Sequence, residues 1–337
     1  MNKLIKSIFI GMALLSLFLL ASCEEKKALT KISEDSANSA EKQINIVCTI
    51  FPEYDWTREI AKGTNTNITL LMKNGVDLHN YSPSAKDIVK ISSSDLFIYV
   101  GGESDVWIED LLKSPTCKGL KTINLLEVLG DKVKEEEVVE GMQEHDHEHE
   151  EHDHEHEEPE YDEHVWLSLK NTKILAEAIA DAMKEIDVNS AAIYEKNAKD
   201  YISALSALDS EYESSLKNVK NRTVVFCDRF PFRYLVNDYN ISYYAAFVGC
   251  SAETEASFET IAFLAKKIDE LSLTHTFTIE NSDDKIANTV INTTANKNAD
   301  ILVLDSLQST TDSEIKEGKT YISTMRQNLE TLKKALL

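Results

Sequence analysis

The chain has 337 residues and a formal net charge of −23, with 42% hydrophobic and 8% aromatic residues. The hydrophobic content is normal for a globular protein, but so negative a chain is a poor partner for nucleic acid, because phosphate binding needs the opposite charge. The charge is also uneven. Residues 131–163 include 17 acidic and 2 basic residues, a local balance of −15. A cation is therefore the natural partner of this chain.

The amino-terminal segment is typical of an exported protein that keeps a lipid anchor. Two lysines precede an apolar run at 7–22, which is too short to span a bilayer comfortably and suits a secretory signal. The run ends in Leu-Ala-Ser-Cys, which resembles the lipobox of bacterial lipoproteins. We therefore expect a signal peptide at 1–22 and a lipid on Cys23, at the outer face of the cell membrane. An ordinary cleavable signal is the alternative. Residues 23–43 are polar and lack aromatics, as in a flexible tether.

Strands alternate with helices in the next part of the chain. We predict strands at 44–50, 68–72, 96–100 and 121–125, and helices at 54–62 and 85–92. Strands separated by helices indicate a parallel sheet. Residues 44–189 are accordingly predicted to form an amino-terminal α/β lobe, which includes an acidic, histidine-rich loop at about 131–160.

Two long helical patterns follow, at 168–186 and 190–219. The second has about 30 residues without glycine or proline and would extend about 45 Å at 1.5 Å per residue. That length suits a rigid helix linking two lobes. An amphipathic helix packed on one lobe has the same pattern, so the spacing alone leaves both open.

The alternation recurs in the last part of the chain. We predict strands at 223–227, 242–247, 276–280 and 301–304, and helices at 257–271 and 321–336. Residues 220–337 are therefore predicted to form a second α/β lobe. The expected fold class is α/β, with two (β/α)4-type lobes, mainly parallel sheets and a linking helix at 190–219.

Six histidines alternate with acids between 145 and 158. They are His145, His147, His149, His152, His154 and His156. Imidazole and carboxylate groups suit zinc and neighbouring first-row ions. We expect a mobile loop with several weak, exchanging metal sites, and a solvated charge run is the alternative. The chain has no HExxH sequence, so a zinc peptidase would lack its pair of ligating histidines.

Two isolated histidines are candidates for a tighter site. His79 follows the strand predicted at 68–72, and His164 lies where the acidic loop meets a helix. Taken alone, either residue would be an ordinary surface or core histidine. Their shared placement at the edges of regular elements favours one site built from several fixed parts of the chain.

Four spaced segments carry a family resemblance over nearly the whole mature chain. They are Phe-Pro-Glu-Tyr-Asp at 51–55, Gly-x-x-x-His-x-Tyr-x-Pro at 75–83, Asp-Glu-His-Val-Trp-Leu at 162–167, and Gly-Lys-Thr-Tyr-Ile with Met-Arg-Gln-Asn-Leu at 318–329. In these the chain resembles the metal-binding proteins that serve zinc and manganese importers of the ATP-binding cassette type. The resemblance implies two α/β lobes, a long rigid helix and an ion bound between the lobes. It makes His79 and His164 the first two ligands.

The third ligand position departs from the family pattern. Zinc-type relatives carry histidine in a segment like Phe-His-Asp-Ala-Phe, whereas here residues 226–230 read Phe-Cys-Asp-Arg-Phe. The resemblance therefore leaves either Cys227 or Asp228 as the third ligand. It implies Asp305 as the fourth, with Glu280 in reserve. The histidine-rich insert favours Zn²⁺ as cargo, but Mn²⁺ stays open because carboxylate ligands would favour it.

The resemblance also implies partners, namely a membrane permease and its cytoplasmic ATPase. We expect the protein to be a monomer. We also expect it to catalyse no reaction, because no step of metal capture and delivery requires catalysis. An adhesin or a metal buffer is the alternative function. The remaining cysteines show no metal-binding spacing, and a pairing of Cys227 with Cys250 is conceivable.

Overall fold

The computed structural model describes residues 42–143, 160–251 and 255–337. The signal peptide expected at 1–22, the lipidation site Cys23 and the six loop histidines lie outside the described residues, as does nearly all of the tether. Within the described ranges, no helix is both long enough and apolar enough to cross a membrane.

The first sheet has four parallel strands in the order β2-β1-β3-β4. The strands are β1 (Ile44–Cys48), β2 (Thr66–Leu70), β3 (Leu96–Tyr99) and β4 (Lys121–Asn124). The accompanying helices are α1 (Phe51–Ile60), α2 (Ala85–Ser92), α3 (Val106–Leu112), α4 (Leu125–Leu129) and α5 (Leu169–Ile186). Strand β3 is buried along its whole length, as expected for an apolar central strand covered on both faces. This sheet and its helices are called the first lobe.

The second sheet repeats the same topology, in the order β6-β5-β7-β8, again with parallel pairs. Its strands are β5 (Thr223–Phe230), β6 (Ser242–Val248), β7 (His275–Ile279) and β8 (Asp300–Leu304). The helices are α7 (Arg233–Asp238), α8 (Phe258–Glu270), α9 (Lys285–Thr293), α10 (Asp312–Lys316) and α11 (Tyr321–Leu336). This sheet and its helices are called the second lobe, and the predicted fold of two α/β lobes is confirmed.

Strand β5 runs further than the sequence pattern predicts. It continues past Cys227 to Phe230, with a shift of register between Phe226 and Arg229. A local irregularity of this kind redirects side chains at the end of a strand. It therefore bears on where the predicted third ligand lies.

A single long helix, α6 (Ala191–Leu216), joins the two halves of the sequence. Its 26 residues extend about 39 Å at 1.5 Å per residue. It packs on α1 and α5 of the first lobe and on α11 of the second, and Tyr212 donates a hydrogen bond to the carbonyl of Met325. These contacts fit a linking helix. The lobe boundaries at 44–189, 190–219 and 220–337 stay a prediction.

Tyr321, the first residue of α11, ties the end of the chain to the first lobe. Its backbone N–H donates to Asp55 at 2.8 Å, and its hydroxyl donates to the carbonyl of Trp166 at 2.6 Å. Its ring meets Trp56 edge-on, with ring centroids 5.3 Å apart. All of these groups are buried, so each polar contact satisfies an atom that water cannot reach. The motif at 318–329 thus has a structural role next to the segment that carries His164.

Candidate metal centre between the two lobes

His79 lies on a short 3₁₀ turn, Leu78–Asn80, that follows the loop after β2. Asp77 caps this turn, because its carboxylate accepts the backbone N–H of His79 at 3.0 Å. The ring atom Nδ1 is 2.8 Å from Ser104 Oγ, and Glu163 accepts the backbone N–H of Ser104 at 2.9 Å. Since these groups fix one ring nitrogen, Nε2 is left for another partner.

His164 is completely buried and immediately precedes the 3₁₀ turn Val165–Leu167. Asp162 Oδ1 lies 2.9 Å from its backbone N and 3.0 Å from its ring Nδ1. Gly249 also lies against the ring, where an added Cβ would be 2.7 Å from Cε1 and 3.0 Å from Nδ1. Only glycine leaves room for the imidazole at this point. The ring is thus held by a carboxylate and by close backbone packing.

The free ring nitrogens of the two histidines converge on one point. The Nε2 atoms of His79 and His164 are 3.2 Å apart. In a tetrahedral site with Zn–N bonds of 2.0–2.1 Å, two nitrogen ligands would be separated by about 3.3 Å. The two imidazoles are therefore spaced to share one metal ion. The predicted pair of histidines is brought together.

Gln308 reaches the same point from the second lobe. Its side-chain nitrogen is 2.7 Å from His164 Nε2 and 3.2 Å from His79 Nε2. Its oxygen is 3.0 Å from Ser306 Oγ. The backbone carbonyl of Ser306 in turn accepts the indole N–H of Trp166 at 2.9 Å. The loop after β8 is thus fastened to the segment that carries His164.

Cys250 is the third potential ligand at this point. Among the described residues, the group able to hold a metal ion consists of His79, His164 and Cys250, whose ligand atoms all lie within 4.8 Å of one another. Cys250 lies two residues beyond the end of β6 and is partly buried. Burial raises the pKa of its thiol, and the nearby carboxylates of Glu163 and Glu136 raise it further. The sequence suggests only a disulfide with Cys227 for Cys250, and the four cysteines within the described residues are all free.

The two histidines differ in how readily they bind a proton. Burial and the neighbouring His164 together lower the pKa of His79 to about 3. For His164, burial alone would lower the pKa, but the carboxylates of Asp162, Glu163 and Asp77 together outweigh burial, so the net pKa is raised. In the absence of a metal ion, a proton shared by the pair therefore resides on His164.

The predicted third ligands, Cys227 and Asp228, are not part of the group formed by His79, His164 and Cys250. The Cys227 side chain packs in an apolar cluster with Leu264 and Ile268, and its Sγ is 3.0 Å from Thr276 Oγ1. Burial raises the pKa of this thiol to about 12. Asp228 accepts the backbone N–H of Arg229 at 2.8 Å. Because side chains alternate along a strand, β5 turns Cys227 toward the covering helices, away from the group formed by the two histidines and Cys250.

Asp305 and Glu280 have partners of their own. Asp305 forms an ion pair with Lys319 at 2.7 Å and accepts the backbone N–H of Leu307 at 2.8 Å. Glu280 accepts both the backbone N–H and the hydroxyl of Ser306 at 2.7 Å. Burial, together with the charge of Asp305, raises the pKa of Glu280 to about 7. Both residues shape the loop that carries Gln308.

A polar cavity of about 470 Å³ lies beside the site. Asp77, Ser251 and Ser309 are among its lining residues. Each of the three is within two residues of a side chain of the site. Four carboxylates line the cavity against one guanidinium, that of Arg229; the carboxylates are those of Asp77, Asp228, Glu280 and Asp283. A cation is favoured in such an opening.

Sequence reasoning missed Cys250 and Gln308. Both follow strands of the second sheet, β6 and β8, at the carboxyl edge where ligands bind in parallel α/β sheets. That rule, applied to every strand, would have made them candidates. Nothing in the local sequence distinguishes them from other polar loop residues.

Comparison with known proteins agrees with this architecture. The family described as "Zinc-uptake complex component A periplasmic" matches residues 46–335. The zinc-binding lipoprotein AdcA of Streptococcus pneumoniae is 34% identical over 319 residues, which cover 95% of this chain and 60% of that protein. The chain thus spans only about 60% of that relative's length.

A shorter relative and a solved structure match nearly end to end. The high-affinity zinc uptake system protein ZnuA of Bacillus subtilis is 30% identical over 323 residues, covering 95% of this chain and 97% of that protein. The crystal structure of the Zn(II)-bound ZnuA-like domain of S. pneumoniae AdcA is 30% identical, with a TM-score of 0.68, and covers 88% of this chain and 99% of that one. The chain therefore belongs to the family of periplasmic A components of zinc-uptake complexes.

Proposed function

We propose that this chain is the extracytoplasmic binding protein of a zinc importer of the ATP-binding cassette type. It captures Zn²⁺ between its two lobes and delivers the ion to a membrane permease driven by a cytoplasmic ATPase. The observation that carries this proposal is the 3.2 Å separation of the Nε2 atoms of His79 and His164. The names of the relatives, which refer to zinc binding and zinc uptake, support the same cargo.

The donor set favours zinc over manganese. Imidazole and thiol groups suit zinc, whereas manganese prefers carboxylate and other oxygen ligands. The carboxylates expected from the sequence are engaged, Asp305 by Lys319 and Glu280 by Ser306. Nitrogen atoms and a cysteine sulfur are thus the donors that converge at the site.

Three accessory features complete the proposal. A lipid on Cys23 holds the protein at the outer face of the membrane, as the name of the lipoprotein relative suggests. The histidines at 145–156 gather ions loosely and raise their concentration near the cleft. The acidic cavity beside the site gives the ions a route to His79 and His164. The chain acts as a monomer and catalyses no reaction.

Growth under zinc limitation tests the proposal in cells. A strain without this chain should fail to grow when a chelator limits zinc, and the intact gene should restore growth. His79→Ala and His164→Ala should not restore it, although both proteins reach the membrane. Manganese supplementation serves as the specificity control. Full rescue by the two variants would contradict the proposal.

A further inference from the structure

We propose that Cys250 provides the third ligand, as a thiolate, so that the ion is held by two imidazoles and one sulfur. The inference rests on the proposed function and assigns a residue that the family resemblance did not imply. Its basis is the convergence of Cys250 Sγ with ligand atoms of His79 and His164, all within 4.8 Å of one another. The resemblance implied a ligand on β5, whereas this one comes from the neighbouring strand β6.

The backbone around Cys250 is fitted to His164. Gly249 precedes Cys250 and lies so close to the ring of His164 that a Cβ would be 2.7 Å from Cε1. The close contact between the backbone of Gly249 and the ring of His164 therefore also places the next residue, Cys250, beside the site. The carboxylate of Glu136 lies next to Cys250 and raises the pKa of its thiol. These contacts hold the residue in place next to the two histidines.

The other cysteines of the described residues are not placed for this role. Cys227 is buried in the apolar cluster under α8. Cys48 belongs to the main core, which extends through both lobes, and Cys117 belongs to an apolar cluster of the first lobe. Cys227 is thus a matched control, because it is a buried free thiol of the same lobe, at the position where the family pattern has its ligand.

A sulfur ligand has a defined chemical consequence. When the ion binds, the S–H bond breaks, the proton leaves to solvent and one metal–sulfur bond forms, with no change of oxidation state. Thiolate ligands select zinc and similar borderline or soft ions and disfavour manganese. Cys250 would therefore set the specificity of the cleft, in place of the histidine that zinc-type relatives carry on β5.

Cobalt(II) is the probe for this bond, since it occupies zinc sites and gives a thiolate-to-metal charge-transfer band in the near ultraviolet. The purified full chain and Cys227→Ser should both show the band when loaded with cobalt. Cys250→Ser should lose it and bind zinc at least about tenfold more weakly, since losing a direct ligand costs no less than losing an outer partner. Circular dichroism checks that each variant is folded.

A second measurement requires no variant. X-ray absorption at the zinc edge of the wild-type protein should show one sulfur at about 2.3 Å. A shell of nitrogen and oxygen alone, or a cobalt band that persists in Cys250→Ser, would overturn the assignment of Cys250 and leave the proposed function intact. Undiminished zinc binding by the variant lacking both His79 and His164 would instead overturn the proposed function.

Discussion

Arg229 of the second lobe forms an ion pair with Asp77 of the first, at 2.9 Å. Asp77 is also the residue whose carboxylate accepts the backbone N–H of His79. Burial alone would raise the pKa of Asp77, but the guanidinium of Arg229, together with His79 and the hydrogen bonds that the carboxylate accepts, gives a net lowering. The contact across the cleft and the position of a site histidine therefore depend on the same carboxylate.

Replacing Arg229 tests this relationship. In Arg229→Ala the Asp77 carboxylate loses its partner across the cleft, and the turn that carries His79 loses an anchor. We expect zinc affinity to fall by about 10- to 100-fold, the usual effect of losing an outer-shell partner. Competition titration with a zinc chelator measures the change. Arg326→Ala is the control, because that side chain is half-exposed on α11. Equal zinc affinities in Arg229→Ala and Arg326→Ala would show that the ion pair between Arg229 and Asp77 does not support the position of His79.

Asp162 is predicted to set the proton affinity of His164. Its charge is the largest influence that raises the pKa of that residue, so Asp162→Asn should lower the pKa of His164 in the metal-free protein. Imidazole signals in a nuclear magnetic resonance titration give this value. At pH 8 the variant should also bind zinc about 10- to 100-fold more weakly. At pH 6 the difference in zinc affinity between the wild type and the variant should be smaller. The reason is that protons compete less with zinc for His164 in the variant, where the pKa of that residue is lower.

Asp110→Asn is the matched control for Asp162→Asn, because Asp110 lies on the surface. It should leave both the pKa of His164 and the zinc affinity unchanged. An unaltered pKa of His164 in Asp162→Asn would show that the carboxylate does not act on the ring as described.

Gly249→Ala is predicted to damage the site sterically. The new Cβ would lie 2.7 Å from His164 Cε1 and 3.0 Å from the backbone oxygen of Phe230. Overpacking of this kind costs about 1–3 kcal/mol in the free energy of unfolding, and we expect zinc affinity to fall with it. Urea unfolding and zinc titration give the two quantities.

Gly63→Ala separates instability from damage to the site. Nothing lies within 4 Å of a Cβ at Gly63, but its φ of +83° is unfavourable for alanine. This variant should lose about 1–2 kcal/mol of stability and still bind zinc normally. A normal zinc affinity in Gly249→Ala would contradict the close packing against His164.

The affinity for zinc is predicted to fall as the pH falls. The pKa of His79 is about 3, so this ring is neutral at any pH near neutrality. The pKa values of His164 and Cys250 are raised, so both groups hold protons that zinc must displace. At pH values below the pKa of a ligand, the apparent zinc affinity falls about tenfold per pH unit for each proton that zinc displaces. Titrations from pH 6 to 8.5 give the slope.

The same titrations on Cys250→Ser isolate the contribution of the thiol. The slope should decrease by one proton, because a serine hydroxyl does not ionise in this range. An affinity independent of pH in the wild-type protein would contradict the proposed protonation states.

The order of strands and helices was largely predictable from the sequence. Regular alternation of apolar strands and amphipathic helices specifies two parallel sheets, because only such sheets place helices between successive strands. The end of β5 was not predictable, since the register shift between Phe226 and Arg229 depends on pairing with β6. The short helices α7 and α10 have too few turns to show a period.

The site was predictable in part. His79 and His164 were expected to lie together, and their Nε2 atoms are 3.2 Å apart. Gln308 and Cys250 were missed because sequence spacing does not reveal which side chain of a loop turns inward. The motif aligns Cys227 with the third ligand of the family. The alternation of side chains along β5, however, places its side chain on the face of the sheet that packs in the apolar cluster.

Zinc titration of the purified full chain, with the metal counted by mass spectrometry, tests the central claim most directly. Three proteins are compared: the wild type, the double variant His79→Ala/His164→Ala, and a variant with the six histidines at 145–156 replaced by glutamine. We predict one tightly bound zinc in the wild type and in the loop variant, and none in the double variant. Tight binding that survives in the double variant but disappears in the loop variant would contradict a zinc site between the lobes.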